Sequence, residues 1–90
     1  MKVYWTKEAY KQLINIEKYI ASDNPDAAER FTNSLIQKAE TLITYPEKGR
    51  IVPEFSIRSV RELVLKNYRI VYMIREKRIE IITVFEATNY

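Results

Sequence analysis

The feature that most constrains the fold is a set of three β-type runs near the C-terminus, separated by only two residues each. The runs cover residues 60–65, 68–75 and 78–85 and are rich in β-branched, aromatic and other apolar side chains. Two residues suffice for a tight hairpin, whereas the crossover between parallel strands needs a dozen or more. The three runs therefore predict an antiparallel meander. A short alternating run over residues 2–5 predicts one further strand at the start.

A first amphipathic helix is predicted directly after this opening strand. Thr6 is suited to cap it, because a threonine hydroxyl can accept a hydrogen bond from the first turn. Ala9, Leu13, Ile16 and Ile20 follow at spacings of four, three and four, which places them on one helical face. The helix is expected to end within residues 21–23.

A second helix is predicted after a tight corner at residues 23–25. Asn24 can cap it, Pro25 suits the first helical position, and Pro46 cannot continue it. Its apolar stripe consists of Ala28, Phe31, Leu35, Ala39 and Leu42. Residues 47–59 are predicted to be a loop. The order β-α-α-β-β-β thus predicts a single small α+β domain over residues 1–90, with a helical hairpin packed on one face of an antiparallel sheet.

The composition excludes several kinds of chemistry. The chain has no His and no Cys, so it lacks the commonest general base and the usual zinc ligands. We therefore expect no metal site and no cofactor. No apolar run approaches the roughly 20 residues that span a bilayer, and no signal-peptide pattern opens the sequence. These features favour a cytoplasmic protein without a membrane partner.

The net charge of +3 arises in the C-terminal half. Residues 1–46 carry six basic and six acidic side chains, whereas residues 47–90 carry nine basic and six acidic ones. An acidic partner would be attracted to this half. The candidate partner-binding residues are Arg50, Arg58, Arg61, Arg69 and Arg75.

Arg61 and Arg69 differ from the other arginines because they lie inside predicted strands. A charge buried without a partner is costly, so each should be paired or should face an anionic ligand. Arg61 could receive a carboxylate of a partner protein, or it could pair with a sheet carboxylate such as Glu80. Arg69 has the same two alternatives. The sequence leaves both open.

Strand alternation divides the predicted meander into two faces. Tyr68, Ile70, Tyr72 and Ile74 share one face of the second run, and Arg69, Val71, Met73 and Arg75 share the other. In the third run, Ile79, Ile81, Thr83 and Phe85 are predicted to lie opposite Glu80, Ile82, Val84 and Glu86. One face is apolar enough to hold the helices. The other is partly apolar and carries arginines, which suits an acidic, amphipathic peptide bound as a helix in a groove or as a strand at an edge.

Five fragments of the sequence, taken in order and at their spacing, are similar to a known family. They are Trp5-Thr6-Lys7-Glu8-Ala9, Tyr19-Ile20-Ala21 with the following Asp23-Asn24-Pro25-Asp26-Ala27-Ala28, Pro46-Glu47-Lys48-Gly49-Arg50, Arg61-Glu62-Leu63 and Asn67-Tyr68-Arg69-Ile70-Val71-Tyr72. Together they resemble the RelE/ParE superfamily of type II toxin–antitoxin toxins, and its ParE branch most closely. The resemblance covers nearly the whole chain.

The resemblance implies a growth-inhibiting toxin of a plasmid-stabilisation system. It also implies a co-expressed antitoxin that holds the toxin inactive through an acidic, amphipathic C-terminal segment, so that DNA is contacted only indirectly. The branches differ in target. ParE-like members act on DNA gyrase without a recognised active site, whereas RelE-like members cleave mRNA on the ribosome. As a nuclease, the chain would use Arg69, Arg61 and Tyr90.

The chain departs from the nuclease pattern at two places. Basic residues expected on the strand before Arg69 are replaced by Glu62 and Val64, and the tail after Phe85 contains neither His nor Arg. Glu86 in this tail would repel RNA phosphate. The sequence therefore favours a non-enzymatic gyrase inhibitor. A RelE-like endoribonuclease and an attenuated, toxin-derived antitoxin-binding module are the alternatives.

Overall fold

A computed structural model describes residues 1–87 of the chain. The elements, in order, are β1 (Lys2–Trp5), α1 (Lys7–Ala21), α2 (Pro25–Glu40), a 3-10 turn (Thr41–Ile43), β2 (Arg50–Ile51), β3 (Val60–Leu65), β4 (Tyr68–Ile74) and β5 (Arg78–Glu86). Both predicted helices and the three-stranded meander are confirmed. The fold is α+β, with the two helices packed on a five-stranded sheet.

The helices begin where the capping residues predict. The Thr6 hydroxyl oxygen accepts a hydrogen bond from the Ala9 N–H at 3.2 Å, and the Asn24 side-chain oxygen accepts one from Ala27 at 3.1 Å. These bonds satisfy N–H groups that have no partner within the helix. The Thr6 hydroxyl also donates to the Ile81 carbonyl oxygen at 2.8 Å. This bond ties the start of α1 to β5.

The sheet is mixed rather than wholly antiparallel. Its strand order is β1-β5-β4-β3-β2, and β1 pairs in parallel with β5. Only the meander pairings follow from short turns, and β1 is separated from the meander by both helices, so its partner and direction could not be inferred from turn length. A second difference is β2, a two-residue edge strand inside the predicted loop, which pairs Arg50 with Glu62 and Ile51 with Arg61.

The main core lies between the helices and one face of the sheet. Leu13, Leu35, Ile70, Tyr72 and Ile81 are buried there together with smaller side chains of both layers. Trp5 and Phe31 pack against the same core and are partly buried, and Phe31 belongs to the apolar stripe predicted for the second helix. Burial of this apolar surface is the main stabilising contribution to the fold.

A β-bulge in β5 overturns part of the predicted face assignment. Tyr72 pairs with Ile81 and Val71 with Thr83, so Ile82 is an extra residue between two paired positions. One extra residue moves each following side chain to the opposite face. Val84 is consequently buried in the main core, whereas Phe85 packs in a second cluster on the other face.

Candidate functional site

The candidate site is the sheet face that points away from the helices, here called the open face. Its side chains come from β2 to β5 and from the residue after β2, and they include Arg50, Val52, Val60, Glu62, Val64, Arg69, Val71, Met73, Glu80 and Phe85. Cross-strand pairing arranges them in rows, since side chains of directly paired residues lie on the same face. A groove of about 300 Å³ runs along this face, with Glu54 and Phe55 of the β2–β3 loop (residues 52–59) as part of its wall.

Glu62 lies at the centre of the open face, between two arginines. Its side chain is only 4% exposed, and its Oε2 accepts a hydrogen bond from Arg69 Nη1 at 2.5 Å and another from Arg50 Nε. Arg69 is 13% exposed, whereas Arg50 is 57% exposed. Charge-assisted hydrogen bonds of this kind are the strong ones in proteins. One carboxylate between two guanidinium groups leaves this cluster with one net positive charge.

A second carboxylate of the same sheet is held in a similar way. Glu80 accepts from Arg75 Nε at 3.0 Å and from Arg78 Nη2 at 2.7 Å. The Arg75 hydrogen bond, with a smaller contribution from Arg78, lowers the pKa of Glu80 below its usual value of 4.5. The Arg78 guanidinium also lies 5.0 Å from the centre of the Tyr4 ring. Sequence reasoning missed Arg78, although its position two residues before Glu80 on one strand placed both on the same face.

Arg61 is placed differently from the other arginines because it is buried beneath the loop. It is 9% exposed, and its Nη1 donates to the backbone carbonyls of Gly49 at 3.0 Å and Glu47 at 3.1 Å. Its Nε donates to the Arg58 carbonyl at 2.8 Å. The pairing with Glu80 considered from the sequence does not form, because Arg61 shares its sheet face with Tyr72 and Ile81, whereas Glu80 shares the opposite face with Met73. Arg61 instead holds the chain before β2 and the end of the β2–β3 loop together.

Tyr72 fastens the same stretch of chain from inside the core. Its hydroxyl donates to the Pro46 carbonyl at 2.7 Å and accepts from the Gly49 N–H at 2.9 Å. Burial raises the pKa of the Tyr72 hydroxyl, although the Gly49 N–H and Arg61 act in the opposite direction. A Cβ on Gly49 would lie 2.6 Å from the Glu62 carbonyl oxygen, so only glycine fits this close approach without a shift.

The comparisons with known proteins agree with this fold. Residues 3–89 match the family described as the ParE toxin of the type II toxin–antitoxin system parDE. The chain belongs to the ParE toxin family. The RelE/ParE resemblance seen in the sequence fragments is thereby confirmed. The protein is the toxin of a type II toxin–antitoxin system, and the family implies an antitoxin as its partner.

The chain is also similar to two named toxins and to one solved structure. It is 39% identical over 88 residues to Y4kP of Sinorhizobium fredii, a candidate toxin, covering 96% of this chain and 88% of that one. It is 33% identical over 89 residues to toxin RelE2 of Caulobacter vibrioides, covering 98% and 97%. A solved structure of the chromosomal ParDE toxin–antitoxin system from P. aeruginosa matches with a TM-score of 0.81 at 21% identity, covering 98% of this chain and 97% of that one. This last likeness shows a shared fold.

The structure thus distributes the five arginines predicted to bind a partner over four environments. Arg50 and Arg69 meet at Glu62, Arg61 is buried below the loop, and Arg75 meets Glu80. Arg58 is 84% exposed in the loop, with its Nη2 3.8 Å from the Glu47 carboxylate. The remaining candidate, Tyr90, lies outside the described residues.

Two features are absent from the described part of the toxin. Residues 1–87 contain no group of three or more acidic side chains arranged to hold a metal ion. Within the same residues, neither helix combines the length and the hydropathy needed to cross a membrane.

Proposed function

We propose that this toxin inhibits growth by binding DNA gyrase in the cytoplasm, without cleaving RNA, and that its antitoxin neutralises it. The observation that carries the proposal is the engagement of the two strand arginines within the protein. A ribonuclease needs cations that meet the scissile phosphate in the transition state. Arg69 and Arg61 are the arginines that a RelE-like reaction would use, and both are held by protein oxygen atoms instead.

The charge at the centre of the open face also argues against phosphodiester cleavage. Glu62 places a carboxylate where an RNA phosphate would have to approach Arg69. Two negative groups at one cation repel each other, which weakens phosphate binding. The side chains that could transfer protons during RNA cleavage are also unsuited to that reaction. The sequence has no His, and the Tyr72 hydroxyl is buried, hydrogen-bonded to the backbone and raised in pKa.

The exposed part of the open face has the mixed character of a protein-binding surface. Phe55 is 58% exposed and lines the groove together with the exposed Arg50. Val64, on the same face, is 49% exposed. Aromatic side chains and arginines are enriched where proteins bind one another. This composition supports inhibition through a protein–protein contact, and membership of the ParE family supports gyrase as the target.

The second candidate function is a ribosome-dependent endoribonuclease. It is supported by the 33% identity to toxin RelE2 and by the position of Arg69 in the sequence fragment shared with the superfamily. A third is an attenuated toxin that retains only antitoxin binding. In each case we expect the neighbouring reading frame to encode a small antitoxin with a DNA-binding N-terminus and an acidic, amphipathic C-terminus.

Expression of the toxin from an inducible promoter distinguishes the three candidate functions. Plasmid topology on chloroquine gels reports gyrase inhibition, and primer extension on translated messages reports cleavage. Loss of negative supercoiling with intact messages supports the proposal. Codon-phased cleavage with normal topology overturns it in favour of the nuclease. Normal growth with detectable full-length toxin overturns it in favour of the attenuated module.

A further inference from the structure

The exposed apolar side chains of the toxin are concentrated in one stretch of the chain. Among residues 1–87, ten large apolar side chains are exposed, and five of them lie within residues 43–57. They are Ile43, Tyr45, Ile51, Phe55 and Ile57. Apolar side chains scattered singly over a surface need no explanation, whereas their concentration in one segment marks a binding surface. The β2–β3 loop contributes Phe55 and Ile57, which are 58% and 50% exposed.

The β2–β3 loop is a closed and hydrogen-bonded unit. The Val52 N–H donates to the Val60 carbonyl at 3.2 Å and closes the base of the loop, where both valine side chains are buried. The N–H groups of Phe55 and Ser56 donate to the Val52 carbonyl at 3.1 Å and 3.0 Å. Compact surface loops whose ends lie close together are frequently functional. Phe55 and Ile57 are therefore exposed on a loop that is itself folded.

A buried arginine and a buried tyrosine fix the position of this loop. Arg61 donates to the carbonyls of Gly49, before β2, and of Arg58, in the loop itself. The Tyr72 hydroxyl donates to the Pro46 carbonyl and accepts from the Gly49 N–H. A loop that is fixed in advance loses little conformational entropy when a partner binds, and this raises affinity. Arg61 and Tyr72 thus act as positioning residues for the exposed side chains.

The charges of the same stretch indicate the character of its partner. Residues 45–59 contain Lys48, Arg50 and Arg58 against Glu47 and Glu54, so basic side chains exceed acidic ones by one. Two copies of the loop would bring like charges together, which disfavours self-association. Arg58 is 84% exposed and can meet a carboxylate of another protein. An aromatic and an aliphatic side chain beside such cations match an apolar pocket that has acidic residues at its rim.

An RNA partner is a poorer match for the loop. RNA-binding surfaces use aromatic side chains that stack on bases, together with cations that meet phosphates. Ile51 and Ile57 are aliphatic and provide no ring for stacking. Glu54 precedes Phe55 in the chain, and both line the same groove, where the carboxylate would repel a phosphate. The exposed side chains therefore favour a protein as the partner.

The position of Phe55 connects the loop with the open face. Its side chain lines the groove of the open face together with Arg50. Any segment bound in this groove would cover Phe55 and compete with a second partner for the loop. Binding of the target at the loop is therefore compatible with the neutralisation proposed above.

We propose that the β2–β3 loop is the part of the toxin that docks into gyrase, with Phe55 and Ile57 entering an apolar pocket that has acidic side chains at its rim. Arg58 meets this rim, and Arg61 and Tyr72 hold the loop in the shape that the contact requires. This inference rests on the proposed inhibition of gyrase and assigns the contact to one loop.

The test compares the full-length toxin with two double variants. Phe55→Ala/Ile57→Ala alters the loop, and the control Tyr10→Ala/Tyr19→Ala removes two side chains of α1 that are 57% and 76% exposed. Biolayer interferometry measures the affinity of each immobilised toxin for purified gyrase, and supercoiling of relaxed plasmid measures inhibition. We expect the loop variant to bind and inhibit at least about tenfold more weakly, and the control to stay within about twofold of wild type. Circular dichroism verifies that each variant is folded.

A double-mutant cycle tests the positioning of the loop. Tyr72→Phe, measured at a temperature where it is fully folded, should weaken gyrase binding when the loop is wild type. The same substitution should cost much less affinity in the Phe55→Ala/Ile57→Ala background, because the side chains that Tyr72 helps to position are then absent. Equal losses in both backgrounds would contradict the positioning role.

The possible failures of the two proposals give different results. Wild-type binding by the loop variant, or equal losses in the loop variant and the control, overturns the docking loop and leaves gyrase as the target. Absence of gyrase binding by the wild-type toxin overturns both proposals. A loop variant that inhibits normally but escapes its antitoxin assigns the loop to the antitoxin. A toxin dimer in sedimentation that the loop variant alone loses assigns it to a second copy, and each of these two results overturns the inference.

Discussion

Arg61 and Glu62 are neighbours in the chain, and their side chains point to opposite faces of the sheet. Arg61 points under the β2–β3 loop and hydrogen-bonds backbone carbonyls, whereas Glu62 lies on the open face between Arg50 and Arg69. The need for partners was predictable, because a buried charge without one is costly. Which groups would serve as these partners was not predictable, since β2 brings Arg50 to Glu62 from a stretch of sequence that has no strand pattern.

At this residue scale, Glu62→Ala should destabilise the toxin strongly. The substitution leaves Arg69, which is 13% exposed, without its 2.5 Å carboxylate contact. Removing one partner of a buried ion pair costs about 3 to 5 kcal/mol. Urea denaturation measures the loss. Glu80→Ala is the matched control, and its loss should be much smaller because both arginines around Glu80 are about half exposed. Equal losses would contradict the structural role of Glu62.

Tyr72→Phe should also destabilise the toxin, and the effect should depend on pH. The variant leaves the Gly49 N–H and the Pro46 carbonyl without the hydroxyl, at a cost of about 1 to 3 kcal/mol. Burial raises the pKa of Tyr72 above 10.0, so its contribution is complete below pH 10 and declines as the pH rises through the raised value.

Urea midpoints measured from neutral pH to about pH 11 should therefore fall less steeply in Tyr72→Phe than in the wild type. The decline of the urea midpoint that remains in Tyr72→Phe comes from Tyr68. Burial, and to a smaller extent Glu86 and Tyr19, also raise the pKa of Tyr68. Identical alkaline slopes for the two proteins would show that Tyr72 does not titrate differently in the folded state.

At the scale of elements, the helices and the meander were predictable because their signals are local. Thr6, Asn24 and Pro25 mark the helix starts, and two-residue linkers fix the meander. The bulge at Ile82 was not predictable, because it breaks the alternation without a glycine or proline to mark it. This single extra residue decides that Phe85 joins the open face instead of the main core.

Gly49→Ala should loosen one element, the β2–β3 loop, more than the rest of the fold. The added Cβ would lie 2.6 Å from the Glu62 carbonyl oxygen and 2.7 Å from the Tyr72 hydroxyl, so the chain before β2 must shift. Overpacking of this kind costs about 1 to 3 kcal/mol. Limited trypsin digestion should cut after Arg58 faster in the variant. Cleavage after Lys77, in the β4–β5 turn, serves as the internal control and should keep its rate.

An unchanged rate after Arg58, or an equal acceleration at both sites, would contradict this account. The first result would mean that the loop does not depend on the contact of Gly49 with Tyr72. The second would mean that the substitution destabilises the whole domain rather than the loop. Local opening and global unfolding are thereby distinguished in one experiment.

At the scale of the whole molecule, the α+β class and the family were predictable, whereas the sheet order and the design of the site were not. The pairing of β1 with β5 joins the two ends of the chain, and no local pattern encodes such a contact. The charge of the C-terminal half was visible in the sequence. The grouping of its arginines around Glu62 and Glu80 depends on strand register and could be seen only in three dimensions.

The central claim for the whole molecule is that the toxin acts by binding and that its arginines serve structure and recognition. The most direct measurement is ATP-dependent supercoiling of relaxed plasmid by purified gyrase, with the purified toxin added and no ribosomes present. The account predicts that supercoiling is lost as toxin approaches the gyrase concentration. Full supercoiling in an excess of folded toxin, together with cleavage of messages on purified translating ribosomes, would contradict it.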